Sequence, residues 1–297
     1  MTQRLLSAFV LATTLMAACG TTTPTLAPAA VTVVPPPTAI PSTSAPPTVA
    51  PNATPSLVPG PNVAYGPVHF TADLALGSGV SARLVPEEIP TDSGAPEQWI
   101  THPAYLELMF VNYPLQNTFH EPRLQVYPAD EFAQVNSGAA DAIQQLKAVL
   151  GQAPNLPAGN IPFLPVFNAA QVVRADIQFL NFQNGSGIRF VTQYDQAPIP
   201  INNHELFYTF QGLTSDGAYY VSAILPLSAP FLAPDDNPNH PAPADAVPAP
   251  DFNNPDFGAA WGAYIDTVTT RLNQLDPQQF NPALPVLDAL VQSLEVK

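Results

Sequence analysis

Histidines and carboxylates are the side chains of this sequence that could carry acid–base or metal chemistry, and few of them are spaced to act together. His120 and His204 are each followed by a glutamate. Adjacent residues of a strand point to opposite faces, so neither pair predicts a catalytic dyad. The sequence has no Gly-x-Ser-x-Gly motif, and its one cysteine is Cys19. We therefore predict no catalytic residue and no cofactor. The five histidines are His69, His102, His120, His204 and His240.

The densest group of oxygen ligands lies in a proline-rich, acidic stretch near residues 226–256. Calcium prefers about six to eight oxygen ligands, which carboxylates and amides on flexible loops supply. The spacing matches no EF-hand pattern, and a solvated loop followed by a helix cap is the competing interpretation. The calcium candidates are Asp235, Asp236, Asn237, Asp251 and Asp256.

A long connection between two predicted strands carries the candidates for ligand binding. Pro198 and Pro200 lengthen this connection, and loops held by a rigid scaffold often carry function. The binding candidates are Asn202, Asn203, His204 and Glu205.

The elements that must position these residues form an antiparallel sheet. Four segments within residues 172–227 alternate apolar and polar side chains, and short connections such as Asp216-Gly217 force neighbouring strands to be antiparallel. We predict a four-stranded meander here. Its aromatic side chains fall on both faces, so we expect both faces to be covered; a sugar- or peptide-binding platform on one face is the alternative.

Helices are predicted at about residues 138–150, 255–275 and 283–295, where apolar residues recur at helical spacing. Asn136 or Ser137 is the expected N-cap of the first helix, and Asn254 is the expected N-cap of the second. A meander combined with amphipathic helices predicts an α+β fold in which the helices cover the sheet.

The region before the meander is predicted to add further strands. A strand at Val68–Leu74 is expected to pair with Ser81–Val85 across a glycine-rich turn. Tyr105–Tyr113 and Arg123–Tyr127 are the next predicted strands. Trp99, in the loop before them, is expected to fill a gap in the core.

The first twenty residues have the pattern of an export leader. Arg4 precedes an apolar run that ends in Leu15-Met16-Ala17-Ala18-Cys19. This stretch resembles the lipobox of bacterial lipoproteins. The resemblance implies a diacylglyceryl group on the Cys19 sulfur, cleavage between Ala18 and Cys19, and acylation, as by palmitate, of the new amino terminus. A plain secretory signal is the alternative.

A tether is predicted to follow the leader. Thr21–Asn62 is rich in proline, threonine and alanine, and it has no charged or aromatic residue. The predicted organisation is therefore a signal peptide at 1–18, a lipidated cysteine with a disordered tether at 19–62, and a single extracytoplasmic domain at 63–297. We expect the protein in the cell envelope, anchored by lipid on the extracytoplasmic face of a bacterial membrane.

Charge limits the partners of the domain. The chain has 23 acidic and 8 basic residues and a net charge of −15. So few cations cannot neutralise a phosphate backbone, and we predict no binding to nucleic acid. The expected partners are the membrane, through the lipid on Cys19, and an envelope protein, peptide or glycan. We predict a binding or envelope-interaction module rather than an enzyme. An envelope hydrolase is the alternative, because catalytic residues need not be close in sequence.

Overall fold

The computed structural model describes residues 56–59, 61–90 and 97–297. Val49–Lys297 forms one compact unit. Cys19, the predicted leader and most of the predicted tether lie outside the described residues. The first described strand, Ser56–Pro59, lies inside the range that the sequence assigned to the tether, so regular structure begins before Val63.

Eleven strands form two antiparallel sheets in the described part of the chain. The large sheet has eight strands in the order β1-β4-β5-β6-β10-β9-β8-β7, and the small sheet has the order β11-β3-β2. The predicted α+β class is confirmed. The strands are β1 (Ser56–Pro59), β2 (Asn62–Tyr65), β3 (Val68–Thr71), β4 (Gly79–Val85), β5 (Tyr105–Val111), β6 (Arg123–Pro128), β7 (Ala170–Phe182), β8 (Gly185–Asp195), β9 (Phe207–Thr214), β10 (Tyr219–Pro226) and β11 (Glu295–Val296).

The predicted meander is confirmed as β7, β8, β9 and β10, each paired antiparallel with the next. The turn between β9 and β10 contains Gly217, whose φ of 74° is left-handed and favours glycine. Phe190, Phe207, Phe210 and Tyr220 are fully buried, although they divide between the two faces of the sheet. Both faces of the meander are therefore covered.

Four helices lie in the described residues, and the three predicted ones are confirmed. The four helices are α1 (Ala129–Val135), α2 (Ser137–Gly151), α3 (Phe257–Gln274) and α4 (Leu284–Gln292), and the predicted ones are α2, α3 and α4. Asn136 caps α2 as predicted, because its side chain accepts a hydrogen bond from the Ala139 amide. The short α1 was not predicted, since its seven residues have no clear apolar periodicity. The N-cap of α3 is Asp256, not Asn254, whose side chain instead accepts the Asp256 amide in the preceding turn.

The two faces of the large sheet have different covers. Helices α3 and α4 and the small sheet share one core with one face, and this core includes Tyr264, Val268 and Leu287. Helices α1 and α2 share the second core with the opposite face, through Phe132 and Leu146. Ile161, Phe163 and Leu164, from the segment after α2, complete this second core. None of the helices in the described ranges is long and apolar enough to cross a membrane.

One predicted strand pairing is wrong. The residues of β4 do not pair with β3 but lie in the large sheet, between β1 and β5. Strand β3 ends at Thr71 and pairs with β2 and β11 in the small sheet. A 3₁₀ turn at Leu74–Leu76, with Asp73 accepting the Ala75 amide, carries the chain from one sheet to the other. The glycine-rich stretch is therefore a crossing between sheets rather than a hairpin.

Candidate functional site

A cleft of about 770 Å³ lies on the second face of the large sheet and is partly open to solvent. Its floor comes from β5 and β6. Its walls come from the loop at 98–102, the segment at 165–169, and the two ends of the connection between β8 and β9. A volume of this size is within the usual range for sites that bind small molecules.

Strand β6 supplies three side chains to the floor. Arg123, Gln125 and Tyr127 alternate along the strand and therefore share one face. Arg123 Nε and Gln125 Oε1 are buried and have no hydrogen-bond partner in the described part of the chain. Buried polar atoms are nearly always paired, so an unpaired donor and an unpaired acceptor side by side indicate a place for a ligand.

The orientation of Gln125 follows from its neighbour on β5. Glu107 is buried, and Arg83 donates a hydrogen bond of 2.8 Å to its Oε2 atom. The second oxygen, Oε1, faces the Gln125 amide nitrogen at 3.5 Å, and Tyr105 Oη lies 3.4 Å from the same nitrogen. The carboxylate of Glu107 thus fixes the amide nitrogen of Gln125 on its side. The Gln125 oxygen remains as an acceptor.

Arg123 is the cation of the cleft. No described carboxylate lies within ion-pair distance of its guanidinium, whereas Arg83, Arg189 and Arg271 each have an acidic partner. A guanidinium offers donors in a fixed planar fork that matches a carboxylate. The cleft therefore presents an anion-binding group that the described protein leaves without a countercharge.

His120 lies beside this group in an aromatic cage. Its ring centroid is 4.4 Å from that of Phe207 and 5.4 Å from that of Phe167, which is stacked on it. Burial lowers the pKa of His120 to about 4, and the charges of Arg123 and His204 act in the same direction. His120 is therefore neutral at pH 7, and it contributes an uncharged, largely apolar wall.

A pair of carboxyl groups, Asp195 and Glu205, also lines the cleft, at the connection between β8 and β9. Asp195 ends β8, and Glu205 closes the connection that leads to β9. The two carboxyls are close enough for each to shift the pKa of the other. The fully buried Gln193 donates from Nε2 to Asp195 Oδ2 at 2.8 Å and to Glu205 Oε2 at 3.0 Å. One amide group thus holds both carboxyls in place.

This carboxyl pair retains a proton near neutral pH. Burial raises the pKa of Glu205 to about 8, with further contributions from the hydrogen bond and charge of Asp195 and from the charge of Asp236. Burial also raises the pKa of Asp195, and Asp236 adds to the effect. Two adjacent carboxyls without a nearby cation cannot both ionise easily, so they share one proton.

The four binding candidates have different positions. Glu205 alone lines the cleft. Asn202 is fully buried, and its Oδ1 atom accepts the His204 and Glu205 amides, so it orients Glu205 rather than contacting a ligand. Asn203 donates to the Ala229 and Leu232 carbonyl oxygens and ties down the loop after β10. His204 Nδ1 lies 2.6 Å from the Asn117 carbonyl oxygen.

Apolar side chains form the mouth of the cleft. Trp99 is 46% exposed and Phe119 is 64% exposed, and both line the cleft. The prediction that Trp99 fills the core is therefore wrong. The reason is that Asn136 donates to the carbonyl oxygens of Gln98 and Thr101, which holds this loop against the start of α2 with Trp99 directed outward.

The calcium candidates mostly serve local turns. Asp235 accepts the Asn237 amide and lies 2.7 Å from His240, and Asp251 accepts the Asn253 amide. Asp256 is the N-cap position of α3, and Asp236 is close enough to raise the pKa values of Asp195 and Glu205. Within residues 56–59, 61–90 and 97–297 no group of three or more His, Cys, Asp or Glu residues could hold a metal ion.

Arg123, Gln125 and Asp195 line the cleft but are not among the site residues predicted from the sequence. A usable signal existed for the first two. Arg123 is one of only eight basic residues, and it alternates with Gln125 along a predicted strand whose other face is apolar. Asp195 stands at the start of the long connection that was predicted to carry the binding site, but its approach to Glu205 depends on how this connection folds back.

The arrangement combines a cationic fork, an apolar wall and a proton-sharing carboxyl pair in one cleft. It suits the binding of a small polar ligand with an apolar body. No protein-family model, no curated protein and no solved structure matches this chain.

Proposed function

We propose that the protein is a lipid-anchored envelope lipoprotein whose domain binds a small organic anion with an apolar body in the cleft. The observation that carries the proposal is the Arg123 side chain, which lines an apolar cleft while its buried Nε atom has no partner among the described residues. A carboxylate would satisfy the guanidinium, and the apolar body would pack against Trp99 and Phe167.

The binding proposal is tested by calorimetry with 4-phenylbutanoate and its neutral amide as probes. We expect the acid to bind at least about tenfold more tightly than the amide, because a charge-assisted hydrogen bond is worth about 1.5–3 kcal/mol. Arg123→Met is expected to remove this difference. Lys147→Met, which removes an exposed cation from α2, is the matched control. Equal affinity for acid and amide, or an Arg123→Met variant that binds like the wild type, would contradict the proposal.

The anchoring proposal rests on the lipobox-like residues 15–19. We expect the intact mass of the mature protein to include a lipidated Cys19, and we expect Cys19→Ser to move the protein from the membrane fraction to the soluble fraction. A mature protein that starts at another residue and carries no lipid would support the plain secretory signal instead.

An envelope hydrolase is the second candidate, and the Asp195–Glu205 pair is the observation that favours it. Two carboxyls that share a proton can serve as acid and base for the attack of water. Cleavage of an envelope peptide or glycan that is lost in Asp195→Asn would support this candidate. If the protein binds such a ligand without cleaving it, the result would favour the proposed binding function over the hydrolase.

A further inference from the structure

Neither the cation nor the carboxyl pair that lines the cleft has a partner of opposite charge among the described residues. Arg123 has no described acidic partner. The described charge that bears on both Asp195 and Glu205 is that of Asp236, which is also acidic. Among the described residues, the protein thus leaves a cation without an anion and a carboxyl pair without a cation, and residues of both groups line the same cavity.

Gln125 indicates more about the group that would bind at Arg123. Its unpaired Oε1 atom is an acceptor two residues along the same strand face. A carboxylate alone cannot use this acceptor, because it has no proton to donate. The C-terminal residue of a peptide carries a carboxylate and an amide N–H next to each other, so it can serve Arg123 and Gln125 together.

The carboxyl pair is complementary to an ammonium group. Gln193 already donates to one oxygen of each carboxyl, which leaves the other oxygens for a further donor. An ammonium has three donors and a full positive charge, so it can contact both carboxyls. Trp99, Phe119 and Phe167 line the same cleft and provide apolar and aromatic surface for side chains.

We infer that the cleft binds a short peptide with apolar side chains, with its C-terminal carboxylate at Arg123 and its N-terminal ammonium at the Asp195–Glu205 pair. This inference rests on the proposed function and names the ligand class of the same site.

The shared proton gives this inference a separate signature. Below pH 8 the pair holds one proton, in keeping with the raised pKa of Glu205. An ammonium that arrives beside the pair favours its fully ionised form, so the proton leaves to the buffer as the ligand binds. The described groups that act on the pair are the charge of Asp236 and the neutral amides of Gln193 and Asn202, and none of them supplies a compensating positive charge. Affinity for the ammonium therefore rises with pH up to about pH 8.

The experiment uses the full-length protein and three forms of phenylalanyl-phenylalanine in calorimetry. The forms are the zwitterion, the N-acetylated dipeptide without the ammonium, and the C-terminal amide without the carboxylate. We expect each modification to weaken binding about tenfold or more. Titrations at pH 7 in phosphate and in Tris, whose ionisation enthalpies differ, are expected to show proton release with the zwitterion and none with the N-acetylated form.

Variants test which residues bind the carboxylate of the peptide and which bind its ammonium group. Arg123→Met is expected to remove the preference for the zwitterion over the amide, and Asp195→Asn combined with Glu205→Gln is expected to remove the preference over the N-acetylated form. Lys147→Met and Asp266→Asn, both at exposed helix positions, are the matched controls. Circular dichroism establishes that each variant is folded.

The outcomes separate this inference from the proposed function. If the N-acetylated dipeptide binds as tightly as the zwitterion and releases no fewer protons, the peptide inference is overturned while the anion site remains. If the dipeptides and 4-phenylbutanoate all fail to bind to the wild-type protein, the proposed function fails with it.

Discussion

Two pairs of neighbouring carboxyl groups in the described part of the chain differ in the charge beside them: one pair has an arginine, and the other has a further carboxylate. Asp288 lies in α4 beside Arg189, and the charges of both residues act on the Asp176 carboxyl. Arg189 Nε is 3.2 Å from Asp288 Oδ1, and Arg189 also donates to the Asp176 carbonyl oxygen. Asp195 and Glu205 both line the cleft, where the neighbouring charge is the acidic Asp236.

The pKa values reflect this difference. Burial raises the pKa of Asp176 to about 6, although the charge of Arg189 opposes the rise. Burial raises the pKa of Glu205 to about 8, and the neighbouring carboxyls raise it further. A buried pair with its cation is part of the core. A pair without a cation that faces a cavity is a site where an external cation can bind.

Two buried glutamines of the same sheet face show the same contrast. Gln211 Oε1 accepts the Leu164 amide and the Tyr220 hydroxyl, and its Nε2 donates to Thr209 and Ser222. Gln125 Oε1 has no partner among the described residues. The amide of Gln211, beneath Leu164, therefore makes all its hydrogen bonds within the protein. The amide oxygen of Gln125, beneath the cleft, makes none with the described residues.

The largest expected effect on the free energy of unfolding comes from removing the Asp288 carboxyl, which lies beside Arg189. Asp288→Ala leaves the buried Arg189 without its carboxylate and the Tyr208 hydroxyl without its acceptor. We expect the free energy of unfolding, measured in urea, to fall by about 3–5 kcal/mol. The matched change at the cleft, Asp195→Asn, is expected to cost less than about 1 kcal/mol, because it removes a carboxyl that has no cation. Equal losses in the two variants would remove the distinction between the pairs.

The next effect concerns the glutamines. Gln211→Leu leaves several buried groups unpaired, and we expect it to lower the free energy of unfolding by about 2–3 kcal/mol. Gln125→Leu removes an acceptor that is already unpaired and two long contacts of 3.4 and 3.5 Å. Its cost is expected to stay within about 1 kcal/mol. Urea unfolding of both variants is the measurement, and a larger loss for Gln125→Leu would contradict it.

Sequence patterns predicted the meander and three of the helices because these elements depend on local periodicity. Alternation in residues 172–227 and the Asp216-Gly217 turn were sufficient for the meander, and helical spacing was sufficient for α2, α3 and α4. The site depends on non-local contacts. Glu205 was a candidate, but its partner Asp195 and its support from Gln193 require the connection to fold back. Trp99 was misassigned because its burial is decided by the hydrogen bonds that Asn136 makes to its loop.

His120 gives the cleft a sensitivity to acid. Its pKa is lowered from the ordinary value of 6.5 to about 4, so the unfolded chain takes up a proton below pH 6.5 while the folded protein does not. The stability contribution is present above pH 6.5 and is lost as the pH falls towards 4. Thermal and urea unfolding are expected to show that His120→Phe keeps about 1–2 kcal/mol more of its stability than the wild type between pH 7 and pH 5. His69→Phe on the small sheet is the control, and an unchanged pH profile in His120→Phe would exclude this role.

Glu205 gives the same cleft a weaker sensitivity of the opposite sign. Its pKa is raised from the ordinary value of 4.5 to about 8, so between these values the folded protein holds a proton that the unfolded chain has released. Stability from this group is therefore greatest below pH 4.5 and declines as the pH rises to 8.

The Glu205→Gln variant isolates this decline. A glutamine can still accept from Gln193 and donate to Asp195, but it does not titrate. Because Glu205 is only half buried, solvent screening reduces the effect, and we expect the variant to gain about 1 kcal/mol over the wild type between pH 5 and pH 8. The gain should vanish when the wild-type protein is saturated with a ligand that carries an ammonium, since the ligand then supplies the missing cation. A gain that persists with ligand would mean that the carboxyl pair is not where the cation binds, and the pair would then belong with Asp176 and Asp288 as part of the structure.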